Sequence, residues 1–288
     1  MTGWNIKREA IPLRKNGLRL LPAYVPLAAW LAFSVVLFGW VILASFSTTR
    51  DIFTNSLLGG GIQLSNYTDL FAQQQMGRYF LNSIIYTVAS CAGIVLIAAP
   101  AAYILGRVRF RGSGLIHLMF VSAMSIPGIL ISIPLFSLFV GMKLTGSIAT
   151  LVLIYICTNI PFGVFFLTGF FSSIPKEFEE SAAIDGCGPI KAFARVILPV
   201  AQPGLITLTI FNFLGVWNEY FYALIFANDE GTRTLALALQ SIVYGYSNTG
   251  NYGGIFAACM VVFLPSFVVY LFVSKRIIAG ITIGSVKG

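Results

Sequence analysis

Six apolar runs dominate the chain, at 21–46, 80–105, 115–140, 148–171, 204–226 and 253–273. Each meets the ~20 residues that a ~30 Å hydrocarbon core demands of a helix. Lipid offers exposed amides no partner, so each run predicts a membrane-spanning helix. The alternating ten-residue strands of a membrane barrel are not seen in the pattern. Pro100, Pro127, Pro134, Pro161 and Pro265 fall inside these runs, where a missing amide bends a helix. The stretch "SIPGILISIPLF", with two prolines seven residues apart, predicts the most irregular span.

One segment breaks the pattern. Residues 172–204 read "SSIPKEFEESAAIDGCGPIKAFARVILPVAQPG", a mixed polar and apolar stretch between two lipid-like runs. Ser173 can cap a helix, Pro175 suits its first turn, and Glu177, Glu179 and Glu180 favour its positive end. Gly186 predicts the stop. Pro189 restarts a helix whose apolar face would be Ile190, Phe193, Ala194 and Ile197, closed by Pro199 and Pro203. Two helices of ~10 residues, each ~15 Å long, cannot span. Ser181, Ala182, Ala183 and Gly186 are small enough for a partner to approach the bend closely. A hairpin that lies on the membrane surface and merely connects two spans is the alternative.

Composition agrees with the pattern. Of 288 residues, 57% are hydrophobic and 10% charged, against about 45–50% and about a quarter in soluble domains. The net charge of +8 is a topology signal, since 14 of the 18 Lys and Arg residues fall on one set of faces. Lys7 to Arg19, Arg107 to Arg111, Lys176 to Arg195 and Lys275 to Lys287 alternate with faces holding Arg50, Arg78, Lys143 and Arg233. Positive loops stay inside, which predicts cytoplasmic termini. The first run is too long for a signal-peptide core and predicts an uncleaved helix. The four cysteines show no ligand or disulfide spacing. With no linker or charge block, the chain predicts one domain, 1–288, comprising a cytoplasmic segment 1–20, a loop 172–203 and a tail 275–288.

Candidate chemistry is sparse. Glu219 is the one acid in any run, and Asn212, Asn218 and Glu219 fall near one helical face. They predict either a translocation path or an interhelical polar cluster, with Asn159 near the same interface. His117, the sole histidine, has no paired acid in the sequence pattern, so no nucleophile–base pair or metal set is predicted. No G-x-x-x-x-G-K-[ST] occurs, so any ATP hydrolysis belongs to another polypeptide.

"EESAAIDGCGPIKAFARVILP" resembles the E-A-A motif of importer-type ATP-binding-cassette permeases. Glu180, Ser181 and Ala182 stand at the E-A-A positions, Gly186 is the glycine, and Val196 to Pro199 close the pattern, with Ser181 and Val196 as departures. "NYTDLF", "FLNSIIYTV", "AAYILGRVRFRG", "IPFGVFFLTGFFSSIPKE", "WNEYFYALIF" and the tail "KRIIAGITIGSVKG" extend the resemblance to the second permease subunit of carbohydrate importers. The resemblance implies an all-α, six-span, type I importer permease with a cytoplasmic coupling loop, in a bacterial cytoplasmic membrane. It implies three partners: a second permease, an ATPase dimer and an external solute-binding protein. Glu180, Ser181, Ala182, Asp185 and Gly186 would dock on the ATPase. An extended tail with Gly280, Gly284 and Lys287 would reach it too. No cofactor is implied for this chain, because ATP and magnesium would sit on the ATPase. The cargo implied is a sugar, an oligosaccharide above all. A permease for another solute class and a secondary transporter are the alternatives. The second would show repeated halves and intramembrane charges.

Overall fold

The computed structural model describes residues 17–285. Among the described residues, four helices are long and apolar enough to cross a membrane unbroken: α1 (Gly17–Ser45), α4 (Met76–Arg107), α7 (Ile148–Ser173) and α14 (Tyr252–Ser285). Between α1 and α4 lie α2 (Thr49–Phe53) and α3 (Ser65–Gln73). The third apolar run is broken into α5 (Ser113–Met124) and α6 (Gly128–Gly141), bent by 97°. The irregular span predicted from its prolines is thus found, with the break at Pro127, the residue before α6.

The amphipathic segment forms α8 (Glu177–Ile184), α9 (Pro189–Ala192), a π-helical turn (Phe193–Ile197) and α10 (Leu198–Val200). A 72° bend leads into α11 (Gln202–Trp217). The fifth apolar run is therefore shorter than expected. It stops at Trp217 and resumes as α12 (Phe221–Phe226), followed by α13 (Leu235–Thr249).

The core sits where α4, α7 and α11 meet. Ile94, Ala98, Ala102, Val164, Leu167, Phe171 and Leu208 are buried there. Small residues set the spacing: a Cβ on Gly163 would stand 3.0 Å from that of Ala98, and one on Gly106 3.0 Å from the Ser172 hydroxyl. Without a strong hydrophobic drive between helices in lipid, such close backbone approach supplies the packing. α1, by contrast, leaves most of its apolar side chains exposed and packs on α14. The described part of the chain carries large apolar surface, as lipid or a partner subunit requires.

Past Phe272 the backbone stays helical to Ser285. The extended tail expected over Gly280 and Gly284 is corrected accordingly: no proline interrupts 266–285, and a helix satisfies its own amides. Lys287 lies outside the described residues.

Candidate functional site

The loop between α7 and α11 has an exposed bend on a fixed base. α8 ends in a two-bond cap, with the Gly186 amide donating to Ala183 O at 3.0 Å and the Cys187 amide to Ala182 O at 2.9 Å. Gly186 has φ +76°, the left-handed conformation predicted for a stop there. Around it Glu180, Ser181 and Asp185 are exposed, while Ala182 turns inward and is buried. Ala182 thus belongs to the base of the loop, and its side chain is not on the outer face. Ile184 and Ile190, 87% and 84% exposed, flank the bend.

Two expectations about this loop need correction. Ser173 does not cap α8; its hydroxyl donates to Phe170 O at 2.7 Å and closes α7, whose burial of Phe170 and Phe171 carries the helix to that point. The predicted stripe Ile190–Phe193–Ala194–Ile197 is also split. The Leu198 amide reaches back five residues to Phe193 O. Pro199 has no amide, and its ring would press on the Arg195 carbonyl, so the turn widens. The buried pair becomes Ala192 and Ile197, five apart, leaving Ile190 and Ala194 outside. Phe193 packs with tilted rings against Tyr103 and Phe171, at 4.7 and 6.3 Å between ring centres, and anchors this half to α4 and α7.

The other half is held by charge. Arg107 ends α4 with its side chain 5% exposed. Its Nε and Nη2 donate to the two Glu179 oxygens at 3.2 and 2.8 Å, its Nη1 to Ile174 O at 2.6 Å and its Nη2 to Pro175 O at 3.4 Å. Burial pushes the Glu179 carboxyl up. The Arg107 guanidinium, the Tyr103 hydroxyl and the Lys176 charge outweigh it and hold the group below its ordinary value. In the sequence Glu179 is legible only as an acid in a first turn, and Arg107 only as one of the basic residues of a cytoplasmic face.

The intramembrane polar residues turn mostly to their own chain. The Glu219 oxygens accept from the Tyr155 hydroxyl at 2.7 Å and from the Tyr222 and Ala223 amides at 2.8 and 3.1 Å. Glu219 therefore begins α12 and links it to α7. Asn159 donates to Tyr155 O and the buried Asn212 to Leu208 O. Asn218 donates to Leu214 O, is exposed, and lies 3.5 Å from the Ser266 hydroxyl.

At the other end of α4, Asn82 donates to Gly231 O and Arg233 O, both at 3.0 Å. The Tyr86 hydroxyl donates to Thr232 O, and the Leu235 amide donates to the Ser83 hydroxyl. "FLNSIIYTV" thus grips the loop between α12 and α13. The i, i+1, i+4 polar positions in an apolar helix were the signal, but they name no partner.

Among the described residues, four long apolar helices, two bent apolar helix pairs and an exposed helical hairpin make up an all-α membrane protein, and its fold is that of a type I importer permease. The chain belongs to the family described as "Binding-protein-dependent transport system inner membrane component", whose pattern matches residues 98–281. It is a permease subunit of a binding-protein-dependent transporter. It is 32% identical over 262 residues to the diacetylchitobiose uptake system permease protein NgcG of Streptomyces coelicolor, covering 91% of this chain and 87% of that one. It is 32% identical over 249 residues to the "Probable starch degradation products transport system permease protein AmyC" of Thermoanaerobacterium thermosulfurigenes, covering 86% and 89%. Its fold matches a chain in the crystal structure of a bacterial ABC transporter involved in the import of the acidic polysaccharide alginate. The TM-score is 0.79 at 22% identity, covering 91% of this chain and 97% of that one.

Proposed function

We propose that this chain is the second permease subunit of an ATP-driven oligosaccharide importer and that the α8–α9 bend is where its ATPase docks. The observation that carries this is a bend exposing Ile184, Gly186 and Ile190 while both its arms are fixed to α4 and α7. An exposed apolar pair on a rigid base suits a groove on a partner. Glu180, Ser181 and Asp185 would form the polar rim. ATP binding would close the ATPase pair, move the bend, and shift the permease halves between inward- and outward-facing states. A ligand shifts such an equilibrium only through its differential affinity.

The excess of Lys and Arg in the loops on this side supports a cytoplasmic bend and cytoplasmic termini. The loop between α12 and α13 then faces the solute-binding protein. Sugar as cargo is supported by the names of NgcG and AmyC and by spans without Lys or Arg in their apolar cores. Among the four polar residues expected to line a path, Asn218 has the free side for it, at a seam completed by the second permease.

The test is a pull-down of the tagged chain from its native membrane in mild detergent, comparing wild type with Gly186→Pro and Glu180→Lys. Proline cannot adopt φ +76°, so the bend must change. Co-purification of an ATPase, a second permease and a binding protein with wild type, and loss of the ATPase from the variants, supports the reading. An ATPase retained by both variants sinks it.

A further inference from the structure

We propose that Arg107 and Glu179 form a positioning clamp that makes the α8 arm move with α4, so that α4 acts as a strut between the subunit's two faces. The proposal rests on the docking reading above.

A single guanidinium satisfies three elements: the carbonyl ending α7, the carbonyl of the Pro175 linker, and both oxygens of a carboxylate on α8. This planar fork cannot be reproduced by an ammonium, which acts as a point charge. Covalently, α8 is joined to α7 only through 174–176, a linker about which it could pivot. Arg107 closes that hinge. α4 is in turn the helix that packs most closely on α7, with Gly106 against Thr168 and Ser172 immediately before the clamp.

The far end of the same helix is tied down as well. Asn82, Ser83 and Tyr86 hold the backbone of 231–235, and all three are buried. From Asn82 to Arg107 is about 38 Å at 1.5 Å per residue, the depth of a bilayer. A partner engaging the α12–α13 loop and a partner engaging α8 would thus act on two ends of one rod. Coupling between two such sites is reciprocal, so a break at either end should uncouple both.

The test uses the assembled importer in lipid nanodiscs, with the cognate solute-binding protein, as purified, as the probe. The variants are Arg107→Gln, Arg107→Lys, Glu179→Gln and the double Arg107→Gln/Glu179→Gln. Two quantities are read: ATPase retained per permease, and the ratio of ATP hydrolysis with and without binding protein. The expectation is a retained ATPase throughout. The ratio should fall at least fivefold in Arg107→Gln, fall less in Arg107→Lys and Glu179→Gln, and drop no further in the double variant, as for two residues acting as a unit. A ratio within twofold of wild type in Arg107→Gln overturns the proposal, as do losses that multiply in the double. If Arg107→Gln fails to assemble, Glu179→Gln decides: a lowered ratio with ATPase retained supports the clamp, and an unchanged ratio or a lost ATPase overturns it. Failure of the docking reading is distinguishable, because it shows as ATPase retention by Gly186→Pro and Glu180→Lys.

Discussion

Glu219 accepts the Tyr155 hydroxyl at 2.7 Å, across 64 residues of sequence, while its two oxygens also take the Tyr222 and Ala223 amides in the first turn of α12. One carboxylate therefore joins α7 to the break after α11. An acid inside a membrane span is costly unless it is so bonded. Here the break and the acid explain each other: without Glu219 the amides of Tyr222 and Ala223 would be left without a partner at the start of α12.

Removing that carboxylate should destabilise the permease. A lost helix cap costs about 1 kcal/mol, and an unpaired buried hydroxyl on Tyr155 adds about 1–3 kcal/mol. Glu219→Ala is expected to lower the thermal midpoint of the purified chain by several degrees. Glu219→Gln should lower it less, since its amide oxygen still accepts. Tyr155→Phe on its own should be the mildest. Fluorescence-detected thermal unfolding in detergent checks this, and a wild-type midpoint for Glu219→Ala would refute the capping role.

The grip of α4 on the α12–α13 loop predicts a local effect instead. Asn82→Leu removes two hydrogen bonds worth about 1 kcal/mol each, and Ser83→Ala frees the Leu235 amide. Hydrogen exchange across 229–236 should quicken roughly tenfold or more, with exchange in α7 unchanged. Equal exchange in variant and wild type would mean that the loop is held by something else.

Close approach along α4 and α7 gives a paired comparison. Gly163→Ala places a methyl 3.0 Å from Ala98 Cβ and 3.3 Å from Ile94, whereas a Cβ on Gly169 meets nothing within 4 Å in this chain. Overpacking costs about 1–3 kcal/mol, while alanine is otherwise better than glycine in a helix by about 1 kcal/mol. Gly163→Ala should lower the thermal midpoint of the isolated chain, and Gly169→Ala should hold or raise it. The same sign for both would refute the seam.

Much of this architecture is legible in hydropathy and in a few punctuating residues. The six runs mark the membrane segments because burial in lipid is a local property of about twenty residues. Gly186 marks the stop of α8 because its left-handed conformation is a local need. The clamp is not legible in this way. Arg107 and Glu179 are 72 residues apart, and each alone resembles an ordinary charge at a helix end. The π turn is illegible for another reason: a proline marks a helix end by default, but here a widened turn lets the helix run past Pro199 and shifts the buried face from Ile190 to Ala192. For Glu219 the sequence shows the charge, which fits a path or an interhelical cluster equally, but not the three donors around it.

Asp51 gives the molecule a pH-dependent joint outside the membrane. The Thr48 hydroxyl and then the Gly60 amide lower its carboxyl below the ordinary aspartate value, against a smaller opposing effect of burial. The Asp51 oxygen accepts the Gly60 amide at 3.1 Å and so closes the loop after α2. Because the folded value is depressed, the joint is fully present above the ordinary aspartate range. It is lost as pH falls through the lowered value. Exchange at residues 56–61 should therefore be protected at pH 7 and pH 5 and open only in stronger acid. Asp51→Asn should be less protected at pH 7 and pH 5. Protection that already fades between pH 7 and 5 would assign the joint to another group.

The exposed isoleucines separate docking from folding. Ile184 and Ile190 are almost free of their own chain, while Ile197, on the same loop, is fully buried. A charge at an exposed site changes stability little, commonly within about 0.5 kcal/mol. An apolar anchor in a partner's pocket can carry about 2 kcal/mol or more of binding. Ile184→Asp and Ile190→Asp should thus leave the thermal midpoint of the isolated chain where it is. Each should reduce the ATPase recovered in a pull-down severalfold, and together more strongly. Ile197→Asp should instead lower the midpoint and the yield of the chain itself. If both exposed variants recover the ATPase at the wild-type level, the apolar pair is not the docking surface, and the polar rim of Glu180, Ser181 and Asp185 would have to carry the contact alone.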